Sequence, residues 1–183
     1  MNKNQELRQS VKVVAYDPSW SSIYKAEEDL LMSVVGQFFV QIEHIGSTAI
    51  PDQRAKPIID IMVATESLDD SGHYFPALES LGYQLIETGM RERFFMRRSD
   101  TKGQVFHLHI VALDTWDERK ERLMRDYLVK NPDAVKAYGE LKEQLAITYA
   151  DDSVEYTRAK TAFIQEIVDR ARAEAGLAPV DVW

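Results

Sequence analysis

The sequence predicts an α+β fold of one domain, with strands gathered in the first two thirds and a helical layer behind them. Three observations carry this. Apolar residues alternate with period two in several runs between Phe38 and Leu113. From Thr115 onward the period is helical, and no Gly- or Pro-rich linker separates the two regions.

After a polar leader over about residues 1–10, Val11 to Tyr16 reads as a short extended stretch. Asp17-Pro18-Ser19 reads as a turn into a helix from about Trp20 to Val35, with Asp17 or Ser19 as N-cap. Ile23, Leu30, Leu31, Val34 and Val35 supply much of its apolar stripe, and Gly36 stops it. Phe38 to Ile45 is β-branched and aromatic, and runs into Gly46-Ser47-Thr48, where a helical turn can begin. Pro57 starts the strand Ile58 to Ala64. There Ile59, Ile61 and Val63 share one face, and Ile58, Asp60, Met62 and Ala64 share the other. A helix from about Tyr74 to Leu81 ends at Gly82. Strands follow at Tyr83 to Glu87, at Glu92 to Arg97 and, after the turn Asp100 to Gly103, at Val105 to Leu113. Three helical segments come last, Trp116 to Lys130, Pro132 to Tyr149 and Val154 to Ala175, and 176–183 reads as a loose tail.

The chain has 183 residues, enough for one well-buried core. Thirty acidic against 22 basic side chains give a formal charge of -8, whose field repels phosphate backbones, so nonspecific binding to nucleic acid is not expected. The absence of cysteine removes disulfides, thiolate nucleophiles and Cys-ligated zinc. No apolar signal-like or membrane-spanning run occurs, so a cytoplasmic protein without membrane association is expected, its oligomeric state open.

Chemistry-bearing residues fall in three places. Gly46-Ser47, between a strand and a turn of helix, has free N–H groups and a hydroxyl that can hold a phosphate, or else is simply a turn and cap. Asp60 is an acid inside an apolar strand; it must be hydrogen-bonded, paired with Lys56 or Arg54, or ligated to a metal. His107 and His109 recur with strand period, so both imidazoles can reach one metal, ligand or phosphate. Glu43 can add a carboxylate if its strand turns it toward Asp60. Arg91, Arg93 and Arg97 alternate along a strand and suit either phosphates or edge protection. Lys160 shares a helical face with Tyr156, Phe163 and Ile167, and suits an anion or snorkels to water.

Taken together, His44-Ile45-Gly46-Ser47-Thr48-Ala49-Ile50-Pro51, Lys56-Pro57-Ile58-Ile59-Asp60-Ile61 and His107-Leu108-His109 resemble the GrpB family of the nucleotidyltransferase-fold superfamily. Asp126-Tyr127-Leu128, Asn131-Pro132, Tyr138, Leu141-Lys142, Leu145-Ala146 and the Tyr156, Lys160, Phe163-Ile164 set agree, over roughly residues 12 to 175. The resemblance implies a nucleotidyltransferase-like mixed β-sheet flanked by helices, with a Gly-Ser turn for nucleotide phosphates and strand carboxylates for a divalent cation. It implies transfer of a nucleotidyl group from a nucleoside triphosphate to an acceptor. Gly46, Ser47, Lys56, Arg93 and Lys160 would bind the nucleotide or another phosphorylated small molecule. Asp60, His107, His109 and Lys160 would carry the chemistry, with Asp60, His109 and Glu43 as metal ligands. Met62 stands where superfamily transferases carry a second carboxylate. One carboxylate with imidazoles suits Mn or Zn better than Mg. The departure leaves open an inactive phosphate-binding module or a metal-dependent phosphoester hydrolase.

Overall fold

A computed structural model of the chain describes residues 10–182, so the expected leader, Ser10 apart, lies outside the described residues. The residues group into two compact units whose segments alternate along the chain: Pro18–Ala49 with Pro57–Arg119, and 10–17 with Ile50–Lys56 and 120–182. All five strands fall in the first unit with the two N-terminal helices, and the four C-terminal helices fall in the second.

The first unit holds a five-stranded sheet and two helices. Its elements are α1 (Ser19–Val35), β1 (Gln41–Ile45), β2 (Ile58–Thr65), α2 (Ser71–Ser80), β3 (Gln84–Leu85), β4 (Arg93–Ser99) and β5 (Val105–Ala112). The strand order is β1-β2-β5-β4-β3, with β2 and β5 parallel and every other pair antiparallel, the mixed sheet expected. The central strand β2 is buried from Ile59 to Thr65 except at Asp60, in keeping with its near-continuous apolar run. Residues opposite one another across a ladder share a face. Glu43, Asp60, Met62, His107, His109, Phe95, Arg93 and Arg97 therefore share one face. His44, Ile59, Ile61, Leu108, Ile110, Met96 and Arg98 share the other.

Helices α1 and α2 pack on that second face, where Phe75 meets Phe94 with ring centroids 5.0 Å apart and Tyr24 stacks on His44 at 4.7 Å. Buried residues Trp20, Glu27, Leu31 and Val35 line the inner side of α1, so the stripe includes an acid, while Val34 is exposed. Its N-cap position is Pro18, which makes no side-chain cap bond; neither Asp17 nor Ser19 fills that role. Helix α2 begins three residues before the expected Tyr74 and carries Pro76 in its interior. Proline is more at home in a first turn, where its missing N–H has no bond to lose, so it points a sequence reading to a later start.

The second unit contains α3 (Lys120–Lys130), α4 (Pro132–Thr148), α5 (Ser153–Ala159) and α6 (Thr161–Glu174) around Ile50, Tyr127, Leu128, Val135, Tyr138, Ile167 and Ala171. The segment expected as helix from Trp116 starts as 3-10 turns over Leu113–Glu118. The helix expected over Val154 to Ala175 breaks at Lys160, whose N–H bonds to Thr157 in a tighter turn. The 10–17 segment joins through a bridge between Val14 and Ala55 and a bond from Val11 N–H to the Ala150 carbonyl. The tail is not loose: Arg172 donates to the Ala178 carbonyl, Gln165 to that of Val180, and Lys120 to that of Val182. Its backbone carbonyls accept from these long polar side chains, which is what holds the segment in place.

Candidate functional site

The site lies on the sheet face opposite α1 and α2, where alternation brings polar side chains from three strands into cross-strand rows. Asp60 on β2, His107 on β5 and Arg97 on β4 form one row; Met62, His109 and Phe95 form the next. The Asp60 Oδ1 atom lies 3.1 Å from His107 Nδ1 and 3.9 Å from His109 Nε2, with the Asp60 side chain 26% exposed. Phe95 packs against both imidazoles, its centroid 5.0 Å from each. Burial alone raises the Asp60 pKa, but the hydrogen bond with His107 and the nearness of His109 outweigh it and hold the carboxyl well below its usual range. Asp60 is thus an ionised acceptor, and His107 donates from Nδ1–H. In its neutral form that imidazole keeps the lone pair on Nε2.

Behind Asp60 stands the Gly-Ser turn. Gly46 has φ +71°, in the region glycine adopts without cost, and Ser47–Ala49 form the expected helical turn. A Cβ at residue 46 would overlap Asp60 Oδ2 and come within 3.0 Å of Asp60 Cβ and Cγ. The turn is fixed from the opposite face as well. The Thr48 hydroxyl donates to the Ile58 carbonyl at 2.9 Å, so its oxygen accepts from His44 Nε2–H at 3.0 Å, and Tyr24 stacks on that imidazole. His44 and Thr48 are positioning residues that the sequence reading quoted without assigning. Their signal was the four-residue spacing across the glycine.

Other expected residues are distributed differently. Glu43 shares the site face but lies opposite Met62, while Ile45 lies opposite Asp60. Arg93 is on the same face opposite Val111, its Nε donating to Met90 Sδ at 3.2 Å, and exposed Arg91 precedes β4. Strand β4 is flanked by β3 and β5 at Arg97, so edge protection is not its role there. Of the structural partners suggested for Asp60, Arg54 belongs to the helical unit and pairs there with Glu143 at 3.0 Å. Lys56 and Lys160 also belong to the helical unit, their ammonium nitrogens 5.5 and 4.5 Å from the Tyr156 ring centroid. Burial pushes the Tyr156 phenol up to about 12. That unit also contains a cavity of about 430 Å³ between Pro51, Arg54, Leu128, Val135 and Gly139, lined by none of the expected site residues.

The donor set can be tested against a divalent cation. Asp60 is already engaged by His107, and Met62, fully buried, supplies no second carboxylate. Among the described residues no three His, Asp or Glu side chains form a group able to hold an ion, so the Asp60, His109 and Glu43 set is not assembled. The residues as arranged fit a hydrogen-bonded Asp–His pair and not a two-cation clamp.

Comparison with known proteins places the architecture. Terminal uridylyl transferase 4 from Trypanosoma brucei, solved with bound UTP, superposes with a TM-score of 0.53 at 14% identity over 94% of this chain and 54% of that one. The same enzyme with bound CTP also scores 0.53, at 15% identity over 98% and 58%. At such identity the likeness concerns the fold, which is nucleotidyltransferase-like.

The GrpB protein family profile matches residues 10–170, and the chain belongs to that family. Glutamate-rich protein GrpB of Alkalihalophilus pseudofirmus is 34% identical over 166 residues, 87% of this chain and 94% of that protein. The crystal structure of conserved protein GrpB from Enterococcus faecalis has a TM-score of 0.82 at 32% identity, covering 90% of this chain and 99% of that one. Relatives vary in length: the chain spans 48% of the protein YqkA of Bacillus subtilis, at 29% identity. No helix among the described residues is long and apolar enough to cross a membrane.

Proposed function

We propose that the chain binds a nucleoside triphosphate at the Gly46-Ser47 turn and transfers its nucleotidyl group to an acceptor hydroxyl, with His107 as general base. The observation that carries this is the packing of the glycine turn against an Asp60 carboxylate that also orients His107. Backbone N–H groups and the Ser47 hydroxyl would hold phosphate oxygens. Asp60 fixes the imidazole through Nδ1, leaving Nε2 to take the acceptor proton. The acceptor oxygen then bonds to the α-phosphorus as the bond to the β-phosphate bridge breaks, and pyrophosphate leaves with its electron pair. The uridylyl transferase neighbour, with UTP or CTP bound, supports a nucleotide as ligand on this fold. In the helical unit, Lys56 and Lys160 around Tyr156 form a cationic group suited to an anion.

A second reading, a phosphate-binding module without turnover, is favoured by Met62, whose buried thioether replaces an acid. Incubating the pure protein with each labelled nucleoside triphosphate, with and without Mg or Mn, separates them. Pyrophosphate release supports transfer, saturable binding without release supports the module, and orthophosphate release supports a hydrolase and overturns both.

A further inference from the structure

Arg97 and Arg98 are neighbours on β4 and so project from opposite faces of the sheet. Arg98, on the helix-covered face, is fully accommodated: it is ion-paired with buried Glu27 at 2.5 Å, and the rings of Tyr83 and Phe106 lie 5.9 and 5.4 Å away. Arg97, on the site face, is partly buried and makes no ion pair or side-chain hydrogen bond among the described residues. Its cross-strand neighbours are His107 on β5 and the exposed Gln84 on β3. The acid in its row, Asp60, lies two strands away, roughly 10 Å at the usual strand spacing, and is engaged by His107. A guanidinium offers five donors in a planar fork, and a carboxylate or phosphate is its ordinary complement. Among the described residues no side chain supplies that complement, and the gap sits beside the His107 imidazole.

We propose that Arg97, with His107 beside it, is an anion subsite that holds a phosphate monoester carried by the acceptor substrate. A monoester brings about -1.5 to -2 charges and three acceptor oxygens, enough to fill the guanidinium fork while His107 Nε2 keeps its lone pair for the hydroxyl proton. A carboxylate has less charge and one acceptor oxygen fewer, so it binds the fork less tightly. Binding the acceptor's phosphate here would place its hydroxyl next to the general base. The subsite rests on the transfer reading for its role, but its existence can be tested separately.

The test is a titration of the full chain with inorganic phosphate, and separately with acetate, followed by NMR at the Arg97 Nε–H and at the Gly46 amide. Saturable movement of the Arg97 signal is expected, with acetate at least about ten-fold weaker. In Arg97→Gln, calorimetry should show phosphate binding weakened about ten-fold or more at an unchanged melting temperature. Arg97→Lys, which keeps the charge without the fork, should fall between, and Lys102→Gln, on the exposed turn before β5, should match the wild type. An Arg97 signal indifferent to phosphate, acetate binding as tight as phosphate, or undiminished binding in Arg97→Gln overturns the proposal. The Gly46 amide reports the parent reading: if a nucleoside triphosphate leaves it unmoved while Arg97 responds to phosphate, the transfer reading fails and the subsite stands.

Discussion

The Asp60 carboxylate fills the space that a side chain at Gly46 would need, so the turn and the acid are mutually fitted. Gly46→Ala should therefore destabilise the protein twice over, by about 1–2 kcal/mol for a left-handed backbone and about 1–3 kcal/mol for overpacking. Removing the obstruction in Gly46→Ala/Asp60→Ala should return the second part but not the first. Urea denaturation of the two single variants and the double variant gives the coupling. Strict additivity would mean that the contact has no energetic consequence.

The direction of the Asp60 shift sets a pH dependence. Its folded pKa is lowered from 3.8, so the unfolded chain binds the proton more tightly and the carboxylate stabilises the folded state. That contribution is fully present above about pH 5 and is lost as pH falls through the unfolded value toward the folded one. Asp60→Asn keeps the shape without the charge. Its stability advantage or deficit relative to wild type should change steadily between pH 5 and the acid limit, with the wild type losing more. Parallel unfolding curves for the two proteins at every pH would show that the His107 and His109 contacts do not hold the acid ionised.

Much of this site was visible in the sequence because a strand writes its faces in alternate positions. Asp60, His107 and His109 each stand out against an apolar alternation, and the glycine before Ser47 marks the turn. What alternation cannot say is which strands are neighbours. The parallel pairing of β2 with β5 sets Asp60 opposite His107, and β4 brings Phe95 and Arg97 alongside. Likewise Glu27 reads as a polar interruption in the α1 stripe, because its partners Tyr83 and Arg98 are 56 and 71 residues away. The break at Lys160 lacks a proline or glycine to announce it, and the tail's anchors are long side chains on α6 and α3 whose reach no local pattern records.

A divalent cation at Asp60 would have to compete with the His107 hydrogen bond. His107→Phe keeps a flat ring against Phe95 while releasing the carboxylate, so affinity for Mn or Zn should rise above that of the wild type if His109 and Glu43 can then contribute. Adding Asp60→Asn to that variant should abolish the gain. Electron paramagnetic resonance of free Mn and calorimetry with Zn measure both. Equal, weak binding in all three proteins would remove Asp60 as a ligand and leave the pair with His107 as its whole role.

The sharpest contrast in stability is expected between adjacent arginines. Glu27 is 4% exposed, accepts from the Tyr83 hydroxyl at 2.7 Å and pairs with Arg98, so the three groups satisfy one another in an apolar setting. Burial and the Glu27 charge also push the Tyr83 phenol far above its usual range, keeping it a donor at any pH the fold survives. Glu27→Ala strands a cation and a hydroxyl together and should cost about 3–5 kcal/mol. Replacing the acid and Arg98 by apolar residues, as in Glu27→Leu/Arg98→Met, should recover much of that loss, since removing both partners also removes the desolvation cost. Arg97→Ala, one residue away but on the opposite face without a partner, should change stability by no more than about 0.5 kcal/mol. Guanidinium unfolding of these variants compares them directly. A loss in Arg97→Ala as large as that in Glu27→Ala would contradict the assignment of Arg98 to the structural network and Arg97 to a ligand.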